Sequence, residues 1–211
     1  NYHVMWENGY LSLVSDPLAA GFSFSGIRFG SSEKKMIEYF GQPDRKDTFS
    51  SGVVRYLYAM DSKDFFMADV KDGVVCAIYS NSGGWTNKDL PYGTERSQAE
   101  QVLKEKYSVD ISKADQNEVG IGNVYLMFDQ IDGNRLTAVC AGTPLMMDDM
   151  DPAQDYPVLE QEMLDILNAE RRCRGLAPLA ADKTVAACAK AHSADMGERN
   201  YFDHSNPDGE D

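Results

Sequence analysis

Apolar residues follow two different spacings along the chain, and each spacing predicts one kind of element. Residues 36–40 and 99–107 have apolar side chains three and four positions apart, which is typical of the buried stripe of a helix. Other segments are rich in β-branched and aromatic side chains and are separated by turn residues, which predicts strands. These segments are residues 53–59, 65–70 and 74–79. The longest apolar runs, such as 73–79, are strand-sized and far shorter than the roughly 18 residues of a membrane span, so we expect no membrane helix.

The same order of elements occurs twice. A Gly-Ser-Ser-Glu sequence precedes the first helical segment, and a Gly-Thr-Glu-Arg sequence precedes the second. Ser31 or Ser32, and Thr94, are suited to cap these helices because their hydroxyls can accept bonds from free backbone amides. The last strand of each unit follows a hairpin-type dipeptide, Asp72-Gly73 in the first and Asp132-Gly133 in the second.

This duplication predicts an α+β module at residues 1–146. Its two units span about residues 26–84 and 90–143, and in each a helix is followed by an antiparallel strand meander. We expect two short sheets, each covered by one helix. The segment before the first unit is expected to add a strand, or to pack Trp6 and Tyr10 onto that unit.

Two further amphipathic helices are predicted after a linker at residues 147–157, where Asp, Pro and Met are frequent and neither spacing is present. The first helix ends before Gly175 and Pro178, and Asp182 is suited to cap the second. The apolar stripe of the first helix consists of Leu159, Met163, Ile166, Leu167 and Cys173. The apolar face of the second consists of Val185, Cys188, Ala189, His192 and Met196.

The chain is strongly acidic. Among 211 residues it has 20 Lys and Arg against 34 Asp and Glu, a formal net charge of -14. Clustered basic side chains supply much of the affinity for nucleic acids, so we expect no nucleic-acid partner. The most acidic run, Asp148-Asp149-Met150-Asp151, lacks the alternating ligands and the glycine of a calcium loop, and we interpret it as solvated linker.

The four cysteines are Cys76, Cys140, Cys173 and Cys188, and no Cys-x-x-Cys spacing occurs. They are too few and too scattered for a disulfide framework in a chain of this size. Cys173 and Cys188 fall on the inward faces of two helices that are predicted to be neighbours, which leaves a disulfide between them open. We favour buried free thiols, because free cysteine packs as a small apolar residue.

Four ordered blocks in the C-terminal part resemble the start of a CAP domain, the SCP-like fold of secreted cysteine-rich proteins and their bacterial relatives. The blocks are Asn168-Ala169-Glu170-Arg171, Gly175-Leu176-Ala177-Pro178-Leu179, Ala191-His192-Ser193-Ala194-Asp195-Met196, and Tyr201-Phe202-Asp203-His204-Ser205-Asn206-Pro207-Asp208-Gly209. The resemblance implies that residues 158–211 form the first helices of an α-β-α sandwich, which is incomplete in this chain.

The N-terminal part resembles the CAP-associated N-terminal domain of secreted Firmicutes proteins. The resemblance runs through residues 26–30, 40–45, 56–58 and 70–75. This part is also similar to the helix-plus-hairpin repeats of β-lactamase-inhibitor-type and outer-membrane assembly lipoproteins, which are binding modules that catalyse no reaction. The resemblance therefore implies that the N-terminal part recognises an extracellular or cell-envelope protein or other ligand. It also implies that the whole protein is secreted or associated with the cell envelope. Because the first residue is Asn1 and not Met, we expect a processed or trimmed chain, with a signal or anchor upstream.

His204 is the candidate metal ligand. In the CAP family two histidines and two acidic residues form a cavity that can hold a divalent cation, usually zinc, and His204 matches the first of these histidines. The resemblance places the other ligands beyond Asp211. His192 lies outside that tetrad and is interpreted as a core histidine. Ser193 and Ser205 adjoin histidines in sequence, but nothing around them indicates a catalytic triad.

These observations favour a non-enzymatic binding module of an extracellular protein. The first alternative is a divalent-metal-dependent hydrolase, similar to a protease, that is completed by residues beyond 211. The second alternative is an inhibitor-like module that binds an extracellular enzyme. If the chain ends at Asp211, its last two helices are expected to bury their apolar faces against the N-terminal module, against a second copy of the chain, or against a continuation.

Overall fold

The computed structural model describes residues 2–7, 10–15, 17–142 and 150–209, and side chains from residue 17 onward. Its helices are α1 Pro17–Gly21, α2 Glu33–Phe40, α3 Arg96–Tyr107, α4 Pro152–Cys173 and α5 Lys183–Arg199. Its strands are β1 Tyr2–Glu7, β2 Tyr10–Ser15, β3 Arg45–Thr48, β4 Val54–Tyr58, β5 Phe66–Lys71, β6 Val74–Ser80, β7 Glu118–Ile121, β8 Val124–Asp129 and β9 Arg135–Gly142. The fold is α+β, and no described helix is long and apolar enough to cross a membrane.

A single antiparallel sheet of seven strands, in the order β3-β4-β5-β6-β9-β8-β7, forms the centre of the N-terminal part. The expectation of two short sheets is therefore wrong, because β6 pairs with β9 from Ala77↔Gly142 to Ser80↔Val139. Both strands are buried along most of their length, so pairing them removes an apolar sheet edge from solvent. Strands β1 and β2 form a separate two-stranded sheet and add no strand to the larger one.

The helix caps and hairpin turns that the sequence predicts are confirmed only in part. Ser32 caps α2 by accepting a bond from the Lys35 amide at 3.2 Å. The hairpin between β5 and β6 turns through Asp72 and Gly73, which both have positive φ, at 50° and 76°. Thr94 is not the cap of α3, because its hydroxyl donates instead to the Pro91 carbonyl at 2.6 Å.

The main core lies between one face of the sheet and helices α1, α2 and α3. The helices contribute Leu18, Ala19, Met36, Ala99 and Leu103. The sheet contributes Tyr56, Tyr58, Phe66, Ala68, Val70, Val75, Ile78, Val119, Val124, Leu126, Phe128, Leu136, Val139 and Ala141. Both predicted repeats therefore bury their apolar side chains in one shared cluster.

Helix α4 packs on the opposite face of the sheet. Ile166 and Ala169 contact Leu57, Phe65 and Met67. In a second small cluster, Val158 and Leu159 pack against buried residues of the sheet and its loops. The predicted apolar stripe of this helix is only partly right, because Met163 and Leu167 are 68% and 46% exposed.

The predicted linker at residues 147–157 overlaps this helix. Asp151 caps α4 by accepting a bond from the Ala153 amide at 3.0 Å, and Pro152 occupies the first turn, where a missing N–H costs no helical hydrogen bond. Residues 152–157 are therefore helical, which corrects the linker interpretation for this part. Residues 143–149 lie outside the described residues, and the acidic run at 148–151 falls partly among them.

The chain divides into two compact units, Asn1–Ala177 and Pro178–Asp211. In the second unit Asp182 caps α5 as predicted, accepting bonds from the amides of Thr184 and Val185 at 2.8 and 3.1 Å. The helix ends at Arg199, and the following residue, Asn200, caps it in the left-handed conformation with φ of 54°. None of its described residues is buried, and Val185 is 66% exposed, so the predicted apolar face is open.

Candidate functional site

A cavity of about 450 Å³ opens in the first unit, where the ends of several elements meet. Four of its lining residues are aromatic and one carries a charge. The lining consists of Phe24, Ser25, Phe40, Tyr58, Ala59, Asp64, Phe66 and Gly84. We call this cavity the aromatic pocket.

The sheet register positions the rings of the aromatic pocket. Tyr58 at the end of β4 pairs directly with Phe66 at the start of β5, so their side chains lie on the same face. Their ring centroids are 5.0 Å apart, and Phe24 stacks on Phe66 at 5.2 Å. Phe40, the last residue of α2, contacts Phe66 at 4.8 Å and Tyr58 at 5.4 Å. Because each ring is braced by others, the wall of the pocket is preformed.

The rim of the aromatic pocket has an unusual backbone. Ser25 and Ala59 have φ of 47° and 56°, in the left-handed region that side chains other than glycine rarely adopt. Such conformations cost about 1–3 kcal/mol each and cluster at ligand sites. The rim also holds Asp64, which is exposed and contributes the carboxylate. The backbone is thus held in a conformation that the local sequence alone does not favour.

The Tyr58 hydroxyl donates a bond to the Gly41 carbonyl at 3.3 Å. Burial and, to a lesser degree, the carboxylates of Glu33 and Asp44 together raise the pKa of Tyr58 to about 12. The hydroxyl therefore stays neutral at physiological pH. The aromatic pocket can accordingly bind apolar groups along its rings, with a negative charge from Asp64 at one side.

No functional role was predicted for these residues, although Phe40 and Tyr58 lie within segments 40–45 and 56–58, which carry the family resemblance. The pocket combines residues from different elements. The feature that these residues share in the sequence is their position at the ends of helices and strands. An excess of aromatic residues at the ends of consecutive elements is the feature that sequence reading could have used.

His204, the predicted metal ligand, lines a second cavity, which lies within the C-terminal unit and measures about 360 Å³. His192, Met196, Phe202 and Asp203 complete its lining. The Asp203 carboxylate accepts a bond from the His204 amide at 2.7 Å, and the Asp203 carbonyl lies 2.9 Å from His192 Nε2. The interpretation of His192 as a core histidine is wrong, because its ring is half-buried and lines the same cavity as His204.

Tyr201 and Phe202 differ in their role beside this cavity. Tyr201 donates to Asp195 Oδ2 at 2.7 Å and lies edge-on to His192, with ring centroids 6.0 Å apart. Burial and the bond to Asp195 raise the pKa of Tyr201 to about 12. Phe202 is 96% exposed, so of these two aromatic residues it is Tyr201 that anchors the loop containing His204.

The residues of this cavity do not form a complete zinc site. A site of this kind needs about three protein ligands, and no group of three His, Cys, Asp or Glu side chains is suitably placed in the part of the chain that the structure describes. The Asp203 carboxylate already accepts a backbone bond. His204 therefore stays a predicted ligand.

The four cysteines are free thiols. Cys76 is buried and Cys140 and Cys173 are half-buried, but Cys188 is exposed, so the expectation of buried thiols is wrong for Cys188. Burial, with a smaller contribution from the charge of Asp69, raises the pKa of Cys140 to about 12. Cys188 is therefore the accessible thiol of the four.

Comparison with known families places both halves of the chain. Residues 29–141 match the family described as CAP-associated N-terminal, which is more than half of the sequence. The chain belongs to this family. Residues 164–211 match the cysteine-rich secretory protein family, also called CAP. Together with the Bacillus and Staphylococcus proteins described below, the two matches show a CAP-family protein of Firmicutes type.

A curated relative of this CAP-family chain is the uncharacterized protein YkwD of Bacillus subtilis (strain 168). It is 46% identical over 48 residues, which cover 23% of the present chain and 19% of that protein. The chain therefore spans about a fifth of the length of this relative.

Two solved structures share the fold of the CAP-family chain. An extracellular protein containing an SCP domain from Bacillus anthracis str. Ames has a TM-score of 0.67 and 18% identity, covering 85% of this chain and 70% of its own. A cysteine-rich secretory protein from Staphylococcus aureus subsp. aureus Mu50 has a TM-score of 0.57 and 19% identity, with coverages of 82% and 68%. At this identity the similarity shows the fold alone.

Proposed function

We propose that the N-terminal part of this CAP-family chain is a non-enzymatic module that binds an extracellular or cell-envelope ligand in the aromatic pocket. The observation that supports the proposal is a preformed cavity of about 450 Å³, a size typical of ligand sites, with four aromatic residues and one carboxylate in its lining. The solved structures that share the fold are described as extracellular or secreted proteins, which supports an extracellular ligand.

The lining indicates what kind of group binds. Aromatic rings favour an apolar or aromatic side chain, because burying such a group against them removes apolar surface from water. Asp64 adds a negative charge at the exposed rim, so a basic group next to the apolar one is favoured over an acidic one. A peptide with an aromatic residue beside a lysine combines both properties.

The proposal can be tested with the whole chain and three blocked dipeptides, which contain Phe-Lys, Phe-Glu and Ala-Ala. Backbone amide shifts of Ser25, Ala59 and Gly84 are followed by NMR as each peptide is added to millimolar concentration. We expect saturable shifts at these amides for both Phe peptides, tighter binding for Phe-Lys, and none for Ala-Ala. If neither Phe peptide shifts these amides, the proposal is wrong.

Asp64→Asn tests the charge preference with little risk to the fold, because the side chain is exposed. It is expected to bring the affinities for Phe-Lys and Phe-Glu together. Asp61→Asn is the matched control, since Asp61 is an exposed carboxylate three positions away that does not line the pocket. An equal effect of both substitutions would indicate long-range charge and not contact at the pocket.

A second candidate function is metal binding at His204, and it is favoured by one observation. The imidazoles of His192 and His204 line the same cavity. Zinc titration of the chain, followed by the ring C–H resonances of both histidines, tests this candidate. We expect weak binding that His204→Ala abolishes, and binding that is unchanged by this substitution would contradict the candidate.

A further inference from the structure

Helix α4 turns a polar face toward the sheet. Its buried side chains include the carboxylates of Asp155, Glu162 and Asp165, although a helix on a sheet normally buries an apolar stripe. Met163 and Leu167 are exposed on the same helix. The contact between α4 and the sheet therefore depends on how these carboxylates are compensated.

Arg55 on β4 compensates two carboxylates at once. Its Nε and Nη2 donate to the two oxygens of Asp69 at 2.6 and 2.8 Å. Its Nη1 donates to Glu162 Oε2 at 2.6 Å. One guanidinium on the sheet therefore holds one carboxylate from β5 and one from α4.

Arg45 on β3 forms a parallel arrangement. Its guanidinium binds the Asp47 carboxylate through Nε and Nη2, at 2.7 to 3.0 Å. Its Nη2 also lies 2.7 Å from Asp165 Oδ2 of α4. Each arginine of the sheet thus shares its charge between a strand carboxylate and a helix carboxylate.

The cluster contains more negative than positive charge when every group is ionised. Its carboxylates are Asp47, Asp69, Glu162 and Asp165, and its guanidiniums are Arg45 and Arg55. Uncompensated charge is costly in a buried position. One carboxylate of the cluster is therefore expected to bind a proton.

Glu162 is the carboxylate with the least compensation. It is 2% exposed, and its Oε1 has no hydrogen-bond partner among the described residues. Burial raises the pKa of Glu162 from 4.5 to about 7; Arg55 opposes this shift, while the carboxylates of Asp47 and Asp69 add to it. The geometry and the direction of the shift agree.

Other titratable or charged groups near the cluster come from the elements around it. They are Lys71 on β5, Cys76 and Tyr79 on β6, Glu118 on β7, Cys140 on β9, and Asp155 on α4. Burial raises the pKa of Cys76, and it raises that of Cys140 to about 12, so both thiols are neutral across the physiological range. Asp155 has its own hydrogen bonds from Ser50. Glu162 is accordingly the group whose burial raises its pKa into the neutral range.

We propose that Glu162 is the proton-binding residue of a pH-sensitive clamp, which holds α4 on the sheet in mildly acidic solution and loosens it as the solution becomes alkaline. The sign follows from linkage. The folded protein binds this proton more tightly than the unfolded chain. The stabilisation that protonated Glu162 provides is therefore complete below pH 4.5, its pKa in the unfolded chain, and is lost as the pH rises through its folded-state pKa of about 7. Residue 164, where the CAP match begins, lies within α4, so the clamp controls how firmly the start of that match is held by the N-terminal sheet.

Hydrogen–deuterium exchange of the whole chain tests the clamp. Protection of residues 152–173 is compared at about pH 5.5 and about pH 8, after correction for intrinsic exchange, with α3 at residues 96–107 as the internal reference. We expect protection of α4 to fall by about tenfold relative to α3 at the higher pH. Equal protection at both pH values would overturn the proposal.

Glu162→Gln keeps the shape of the protonated side chain and removes the titration. We expect α4 in this variant to keep its protection at the higher pH. Glu160→Gln is the matched control, because Glu160 is exposed on the same helix, and it should show the pH dependence of the unsubstituted chain.

A direct titration of the Glu162 side-chain carbonyl by NMR covers the case in which Glu162→Gln does not fold. A midpoint near 7 supports the clamp, and a midpoint near the ordinary value of 4.5 overturns it.

Discussion

Ser50 and Asp155 form a polar anchor between positions that are 105 residues apart in the chain. The Ser50 amide donates to Asp155 Oδ1 at 2.9 Å, and the Ser50 hydroxyl donates to Oδ2. The Asp151 amide donates to the same Oδ2 at 2.9 Å and to the Ser50 oxygen at 2.8 Å. The first turn of α4 is therefore fixed to the loop between β3 and β4 by a closed set of hydrogen bonds.

Ser50→Ala should lower the free energy of unfolding by about 1 kcal/mol, because the Asp155 carboxylate loses one donor and the Asp151 amide loses one acceptor. Urea denaturation measures this change. Ser51→Ala is the matched control, since the bond that the Ser51 hydroxyl accepts within the described residues is a long one of 3.5 Å from the Val53 amide. Equal destabilisation by both substitutions would contradict the importance of the anchor.

The same anchor predicts an acid limit to stability. Burial disfavours the charged form of Asp155, but bonds from Ser50 and the Asp151 amide outweigh burial and hold its pKa below 3.8. Asp155 therefore contributes to stability above pH 3.8, its pKa in the unfolded chain. This contribution is lost as the pH falls through the lower pKa that Asp155 has in the folded protein. Melting temperatures measured from about pH 5 down to about pH 2 should fall more steeply for the unsubstituted chain than for Asp155→Asn. Parallel curves would show that Asp155 does not supply this dependence.

Phe40→Ala should weaken the binding of the Phe-Lys peptide by about tenfold or more, because Phe40 braces both Phe66 and Tyr58. The NMR titration described above measures the affinity. Tyr39→Ala is the control, since Tyr39 is 61% exposed and does not line the aromatic pocket. Unchanged affinity in Phe40→Ala would argue against peptide binding along these rings.

Thiol reactivity should follow exposure. A disulfide reagent added to the folded chain is expected to label Cys188 first and Cys76 and Cys140 slowest, because burial raises the pKa of both slow thiols. All four thiols should react after denaturation without reductant. Cys188→Ser should remove the fast phase, and a fast phase that persists in this variant would contradict the assignment. Two reactive thiols after denaturation would indicate a disulfide.

Local structure could be predicted from the sequence where the deciding residues are neighbours. The segments at 53–59, 65–70 and 74–79 correspond to β4, β5 and β6, and the turn at Asp72-Gly73 was predicted from its dipeptide. Asp182 was likewise predicted as a cap from its place before an apolar run. In each case short-range hydrogen bonding or backbone conformation decides the structure.

The pairings between distant segments could not be predicted. Nothing local to β6 indicates that its free edge binds β9, and the buried face of α4 has the sequence of a solvated surface. Glu162 is buried because Arg55 reaches it from a strand 107 positions earlier in the chain. The aromatic pocket has the same property, since its rings come from separate elements.

The pairing of β6 with β9 also determines when the sheet can close during synthesis. A nascent chain that ends before residue 135 has every strand from β3 to β8 but still presents the unpaired edge of β6. Residues 135–142 complete two ladders at once, with β6 on one side and β8 on the other. The two halves of the sheet are thus joined by the last strand to emerge, and the edge of β6 needs protection from other chains until then.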